Sequence, residues 1–256
     1  MNKETILMSN YAQIKEQLSN LKLAGITDTL EQRLKQADEG QLAYTELLYL
    51  LLDDELELRR NRKIDRLLTS AGLKGNQTLE NFDFRANASI NAVQIRGLAT
   101  LRFIEKAENI FLVGSTGVGK THLARGLAHL ACRKNLKVCF YSLANLISEI
   151  TKAELSNKIN YLIRTISKSD LLVIDDFAFK KITPQLAEYL YSIVDERYQQ
   201  RSIIFTSNRE IGDWMGIFPD PVMANAIMDR IAHNAHQITI KGESYRKRNT
   251  IKKQNA

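Results

Sequence analysis

The spacing of apolar positions changes once along this chain, and the change divides it. In the first ~70 residues apolar side chains recur three and four apart: Leu47, Leu48, Leu51, Leu52 and Leu56, then Ile64, Leu67 and Leu68. That spacing predicts helices throughout, and no proline interrupts them before Pro184. Gly72 and Gly75 break the pattern, which sets a boundary between a helical domain over residues 1–75 and a second domain over 76–256. Aromatic and polar residues alternate in Asn81-Phe82-Asp83-Phe84 just after it. The two phenylalanines suit either an adenine contact or an anchor for the linker.

Beyond residue 85 short apolar runs alternate with helical stretches. The runs predict strands at 109–113, 137–142, 171–175, 202–207 and 237–241, and the stretches between them predict helices near 120–134, 143–168, 183–200 and 222–233. Strand and helix in alternation predict an α/β fold, with a parallel five-stranded sheet flanked by helices on both faces. The carboxyl ends of such strands are where ligands bind.

Hydrophobic residues make up 44% of the chain, enough for a real core, which excludes global disorder. No apolar run approaches bilayer length, and Met1-Asn2-Lys3-Glu4-Thr5 does not open a secretory signal. The two cysteines, Cys132 and Cys139, read as small buried thiols, neither a disulfide nor a metal framework. A cytoplasmic protein is expected. The net charge of +7 suggests a polyanionic partner. Arg59, Arg60, Arg62, Lys63 and Arg66 form one basic cluster, and Lys241, Arg246, Lys247, Arg248, Lys252 and Lys253 form another. The first is a candidate DNA-binding surface, although Asp53, Asp54, Glu55 and Glu57 precede it and can neutralise part of it.

The chemistry concentrates in Gly114-Ser115-Thr116-Gly117-Val118-Gly119-Lys120-Thr121, which fits G-x-x-x-x-G-K-[ST] between a predicted strand and a predicted helix. Glycines at 114, 117 and 119 let backbone amides approach phosphate oxygens, and the following helix points its positive end at the same anion. Lys120 can reach the β- and γ-phosphates, and the Thr121 hydroxyl suits Mg²⁺. ATP and Mg²⁺ are therefore the expected cofactors. Leu171-Leu172-Val173-Ile174 ends in Asp175 and Asp176, which suit a Mg²⁺ ligand and a group that polarises the attacking water. Asn208 follows another apolar run and reads equally as a γ-phosphate contact or a turn residue. Arg230, Arg246 and Arg197 are alternative partners for charge that develops during phosphoryl transfer, and spacing does not rank them. His122 and His129 lie on one predicted helix and His233 and His236 near the end of another, but no carboxylate or cysteine cluster joins either pair into a metal site. Trp214 and Phe218 read as packing residues in a loop.

The segments GSTGVGKTHLA, LLVIDDF, ERYQQRSIIFTSN, FPDPVMANAIMDRIAHNAH and KGESYRKR together resemble the IstB-like ATP-binding proteins, helper ATPases of bacterial insertion sequences within the AAA+ group and relatives of the helicase loader DnaC. LKLAGITDTLEQRL and LLLDDELELRRNRKIDRLL extend the resemblance over nearly the whole chain. It implies an AAA+ P-loop ATPase domain behind the helical one. It also implies roles that spacing leaves open: Arg230 as an arginine finger acting on a neighbouring subunit's ATP, Arg246 as a second sensor, and Asn208 as the first. It implies a homo-oligomer with ATP between subunits, duplex DNA and a transposase as partners, and slow hydrolysis, because Asp176 stands where many AAA+ proteins have Glu. A DnaC-like helicase loader and a nucleotide-gated scaffold are the alternative functions.

Overall fold

The computed structural model describes residues 3–245 apart from 74, 76 and 88. The chain forms two compact units, Met1–Arg66 and Leu67–Ala256. The division falls inside a long helix, upstream of the glycine break.

The first unit contains α1 (Lys3–Asn20), α2 (Ala24–Gly40) and most of α3 (Tyr44–Ser70). Ile26, Leu30 and Leu51 form its small core, with Tyr11, Leu18, Leu23 and Leu47 packed around them. Leu48, Leu52 and Leu56 lie on the exposed side of α3, so only part of the leucine pattern is core. A charged contact supplements this modest core. Glu55 of α3 is buried and accepts the Gly25 amide of α2 at 2.7 Å and the Arg59 Nε at 2.6 Å. The first amides of α2 have no side-chain cap of their own, so a carboxylate from another helix satisfies donors that helix geometry leaves open.

Burial alone would push the Glu55 carboxyl up. The Arg59 guanidinium and the Gly25 and Ile26 amides outweigh it and hold the group below the usual carboxylate range. A carboxyl depressed on folding contributes stability that is present above its unfolded pKa, about 4.3, and lost as pH falls through the folded value. Glu55→Gln is expected to cost this unit about 1 kcal/mol at neutral pH and to flatten its loss of stability between neutral and strongly acidic pH. Hydrogen exchange in α2 and α3 of the full chain, followed against pH, checks both.

In the second unit α3 ends where Gly72 turns left-handed (φ 66) and the Leu73 amide reaches back to the Leu68 carbonyl, a helix stop that favours glycine. A short 3₁₀ turn (Phe84–Ala86), α4 (Ala92–Ala99) and α5 (Arg102–Glu105) lead into the sheet. Strands and helices then alternate: β1 (Asn109–Gly114), α6 (Lys120–Arg133), β2 (Val138–Ser142), α7 (Leu143–Leu155), α8 (Ile159–Lys168), β3 (Leu171–Asp175), α9 (Pro184–Arg197), β4 (Ser202–Ser207), a 3₁₀ segment (Ile211–Ile217), α10 (Pro221–Ala232) and β5 (Ala235–Ile240). The strands form one parallel sheet in the order β2-β3-β4-β1-β5.

The inner strands carry continuous apolar runs, with polar residues towards their ends, because both faces are covered. Ile110 and Leu112 of β1 point into the same layer as Leu123 and Leu127 of α6, while Phe111 and Val113 join Leu146, Ile193 and Ile227 on the other side. At the edge, β5 alternates instead, with Ile238 and Ile240 buried and Gln237 and Thr239 exposed. One expected element differs. The stretch 143–168 is two helices, not one, because Asn157 adopts φ 55 and the Lys158 amide bonds back to the Ala153 carbonyl at 2.7 Å. Asn tolerates that left-handed stop better than most residues. The region around Trp214 is not an open loop. Trp214 is fully buried and packs against Phe111, Phe177 and Phe205.

Candidate functional site

The carboxyl end of β1 runs into the glycine loop, and the loop ends at the start of α6. Gly119 is the residue before the helix, at φ 106, and a Cβ there would press to 3.0 Å from the Phe82 ring. Only glycine fits both the angle and the contact. Lys120 is buried, and its Nζ donates to the Gly114 and Ser115 carbonyls at 2.8 Å each. The lysine is thus folded over its own loop, beside amides and a helix N-terminus that suit an anion.

The loop opens on a cavity of about 400 Å³. Thr116 to His122 line it together with Asp176, Asn208, Asn81, Phe82, Glu243 and Tyr245. Phe82 packs edge-on against Phe84 (4.9 Å) and His122 (5.1 Å), so it serves both as cavity wall and as anchor for the segment before the sheet. The segment after β5 lies over the loop: the Tyr245 amide donates to the Gly117 carbonyl at 3.0 Å, and the Ser115 hydroxyl donates to the Gly242 carbonyl at 3.2 Å.

Asp175 is buried at the end of β3, and its Oδ1 accepts the Thr121 hydroxyl at 2.9 Å and the Thr206 hydroxyl at 2.5 Å. Asp176 is exposed to the cavity and adopts φ 54. This hydroxyl and carboxylate set, all hard oxygen donors, suits Mg²⁺.

The structure thus gathers Thr116 to Thr121, Asp176 and Asn208 around one cavity, with Asp175 bonded beneath Thr121. It does not bring Arg230 there. The Arg230 guanidinium donates to Asp195 at 2.9 Å and to the Tyr191 hydroxyl at 3.1 Å, and stacks over the Tyr191 ring. Arg246 lies outside the described residues. Arg197 is corrected outright as a phosphate partner. It is 1% exposed and donates to the carbonyls of Ile166, Ser167, Ser169 and Ser202, so no ligand can reach it. Burial pushes its pKa down to about 9, which leaves it charged at neutral pH. In the first unit, Arg60, Arg62, Lys63 and Arg66 are exposed, while Arg59 is tied to Glu55. Sequence reasoning missed Thr206, Glu243 and Tyr245. Thr206 carried one signal, a polar side chain directly after the apolar run Ile203 to Phe205.

The model of the IstB-like ATP binding protein family matches residues 16–253. The chain belongs to that family. It is 36% identical to a protein named as an ATP-binding protein in an insertion sequence of Mycobacterium tuberculosis, over 92% of this chain and 94% of that one. It is 37% identical to the IS21 ATP-binding protein of Pseudomonas aeruginosa, over 90% and 86%. Among solved structures, the DnaC helicase loader shares the fold, with a TM-score of 0.50 at 22% identity over 69% of this chain and 99% of that one. The IstB-like chain is accordingly an ATP-binding AAA+ ATPase. No helix among its described residues is long and apolar enough to cross a membrane.

Proposed function

We propose that this protein is an ATP-dependent helper ATPase of transposition that assembles on duplex DNA and recruits or stimulates a transposase. In this reading the glycine-loop amides and Lys120 hold the ATP phosphates. Thr121 and Asp175 would hold Mg²⁺, which supplies neutralising charge at the phosphates. Asp176 orients the attacking water, and Asn208 faces the γ-phosphate. The observations that carry the reading are the cavity lined by Thr116 to Thr121, Asp176 and Asn208, and an Arg230 engaged away from it by Asp195 and Tyr191. Phosphoryl transfer gains greatly from an arginine supplied in cis or in trans. Arg230, half-buried and bonded to Asp195 and Tyr191, is proposed to serve a neighbour, so ATP would sit between subunits of a homo-oligomer. Arg246 remains the proposed second sensor within the subunit. The relatives' insertion-sequence names support a transposase as partner, and the exposed Arg60, Arg62, Lys63 and Arg66 are proposed to contact DNA phosphates together with Arg59.

Fluorescence anisotropy of a labelled duplex with ATP, ADP and no nucleotide tests this. Tight binding is expected with ATP alone, with a salt slope that falls when Arg60, Arg62 and Lys63 are replaced by Ala. Binding that ignores nucleotide, or no duplex binding at all, overturns the reading in favour of a DnaC-like helicase loader.

A further inference from the structure

Asp176 is the residue of the cavity whose backbone most needs explaining. It is not glycine, yet it sits at φ 54 immediately after a strand. Aspartate tolerates this region better than most residues but does not choose it unaided. Something outside β3 must hold it there.

Thr206, at the end of the neighbouring strand β4, makes that contact. It is fully buried, with no exposed surface. Its single hydroxyl works in both directions at once. It donates to Asp175 Oδ1 at 2.5 Å and accepts the Asp176 amide at 3.0 Å. The Thr206 carbonyl accepts the next amide, that of Phe177, at 2.7 Å. The Ser207 hydroxyl then donates to the Phe177 carbonyl at 2.7 Å. Three successive points of the chain after β3 are thus pinned by two consecutive residues of β4. A hydroxyl has one proton and free lone pairs, so both Thr206 side-chain bonds are satisfied by one group.

We propose that Thr206 is a positioning residue for ATP hydrolysis: its hydroxyl orients the Asp175 carboxylate and fixes the left-handed turn that presents Asp176 to the cavity. The inference rests on the proposed role of Asp176 and goes beyond it, because it names the group that sets that role's geometry. Asp175 shares Oδ1 between the Thr121 and Thr206 hydroxyls, so a change at β4 is felt on the glycine-loop side through one oxygen. Partners that hold a site carboxylate in this way are typically worth about 10–100-fold in activity.

The experiment compares Thr206→Val, which keeps the shape and removes the hydroxyl, with Thr206→Ser, which keeps the hydroxyl. In the Val variant kcat is expected to fall about 10–100-fold, with the affinity for a fluorescent ATP analogue within about threefold of wild type and the melting temperature little changed. The Ser variant is expected to stay within a few-fold of wild-type kcat. In the nucleotide-free protein the Asp176 amide should exchange its hydrogen faster in Thr206→Val and at the wild-type rate in Thr206→Ser. Asp176→Asn serves as the control for the reading beneath the proposal. If that variant loses turnover while Thr206→Val keeps it, the positioning role is overturned. Equal exchange at Asp176 in Val and wild type also overturns it. If Asp176→Asn keeps turnover, the reading of Asp176 fails on its own, and the exchange rates still decide whether Thr206 anchors the turn.

Discussion

Lys120→Ala is expected to abolish ATP turnover, and mixing it with an equally inactive Arg230→Ala is expected to restore part of it. The first half follows from the loop. Lys120 is the charged side chain among the loop residues that line the cavity, and it donates to two backbone carbonyls that it can exchange for phosphate oxygens. Removing one preorganised donor from a phosphoryl-transfer site costs about 10²–10³ in rate. Duplex binding with ATP should fall in parallel, because the proposed oligomer ordered by nucleotide would lose its cement. Folding should not suffer greatly, since the lysine caps an open loop and supports no core.

The second half separates cis from trans. A subunit carrying Arg230→Ala keeps its own loop, and a subunit carrying Lys120→Ala keeps its Arg230. If Arg230 serves the neighbour, the mixed interface that combines the two intact halves is active. At equal mixing about a quarter of interfaces have that composition, so restored turnover should approach a quarter of wild type if the missing arginine accounts for the whole defect. Phosphate release measured across a titration of one variant into the other checks it. No recovery at any ratio would mean that Arg230 acts within its own subunit or only braces Asp195 and Tyr191.

Arg197→Met is expected to act on stability and hardly at all on nucleotide chemistry. The guanidinium gathers carbonyls from the end of α8, from the turn after it and from the start of β4. Methionine fills much of the volume but donates nothing, which leaves buried carbonyls without partners. Such losses cost about 3–5 kcal/mol. For a unit of this size that corresponds to roughly 10 °C in melting temperature. A calorimetric scan checks the shift, and ATP affinity well below the transition should match wild type. A variant of normal stability but lost turnover would instead return Arg197 to the site.

These two arginines mark where the sequence is and is not legible. The glycine loop was readable because everything that defines it is local: a strand, a turn that needs glycine, a lysine and a helix start within twenty residues. The strands were readable because burial on both faces leaves continuous apolar runs such as Ile110 to Val113. Arg197 misled because a charged residue on a helix is normally assumed to face water, and only the packing of α8, α9 and β4 around it decides otherwise. Thr206 was missed for a related reason. Its partners Asp175 and Asp176 are 31 and 30 residues away in sequence, and only strand pairing brings them together. The stop at Asn157 is set by a choice between continuing a helix and capping it, which apolar periodicity does not encode. Arg230 had no signal of its own beyond resemblance, because a residue proposed to serve another subunit would leave no trace in the spacing of its own chain.

The strand order has a consequence for how the protein is made. β1 carries the glycine loop and is the first strand to leave the ribosome, yet its neighbours in the sheet are β4 and β5. Until Ser202 to Ser207 emerge, Ile110 to Val113 have no strand to pair with, while β2 and β3 can already pair with each other. At ordinary elongation rates that interval is on the order of ten seconds. For its duration an apolar strand is an unpaired edge, open to wrong partners. A pause in translation after β3 would lengthen that exposure, and a chaperone that covers bare apolar segments would matter most for this stretch of the nascent chain.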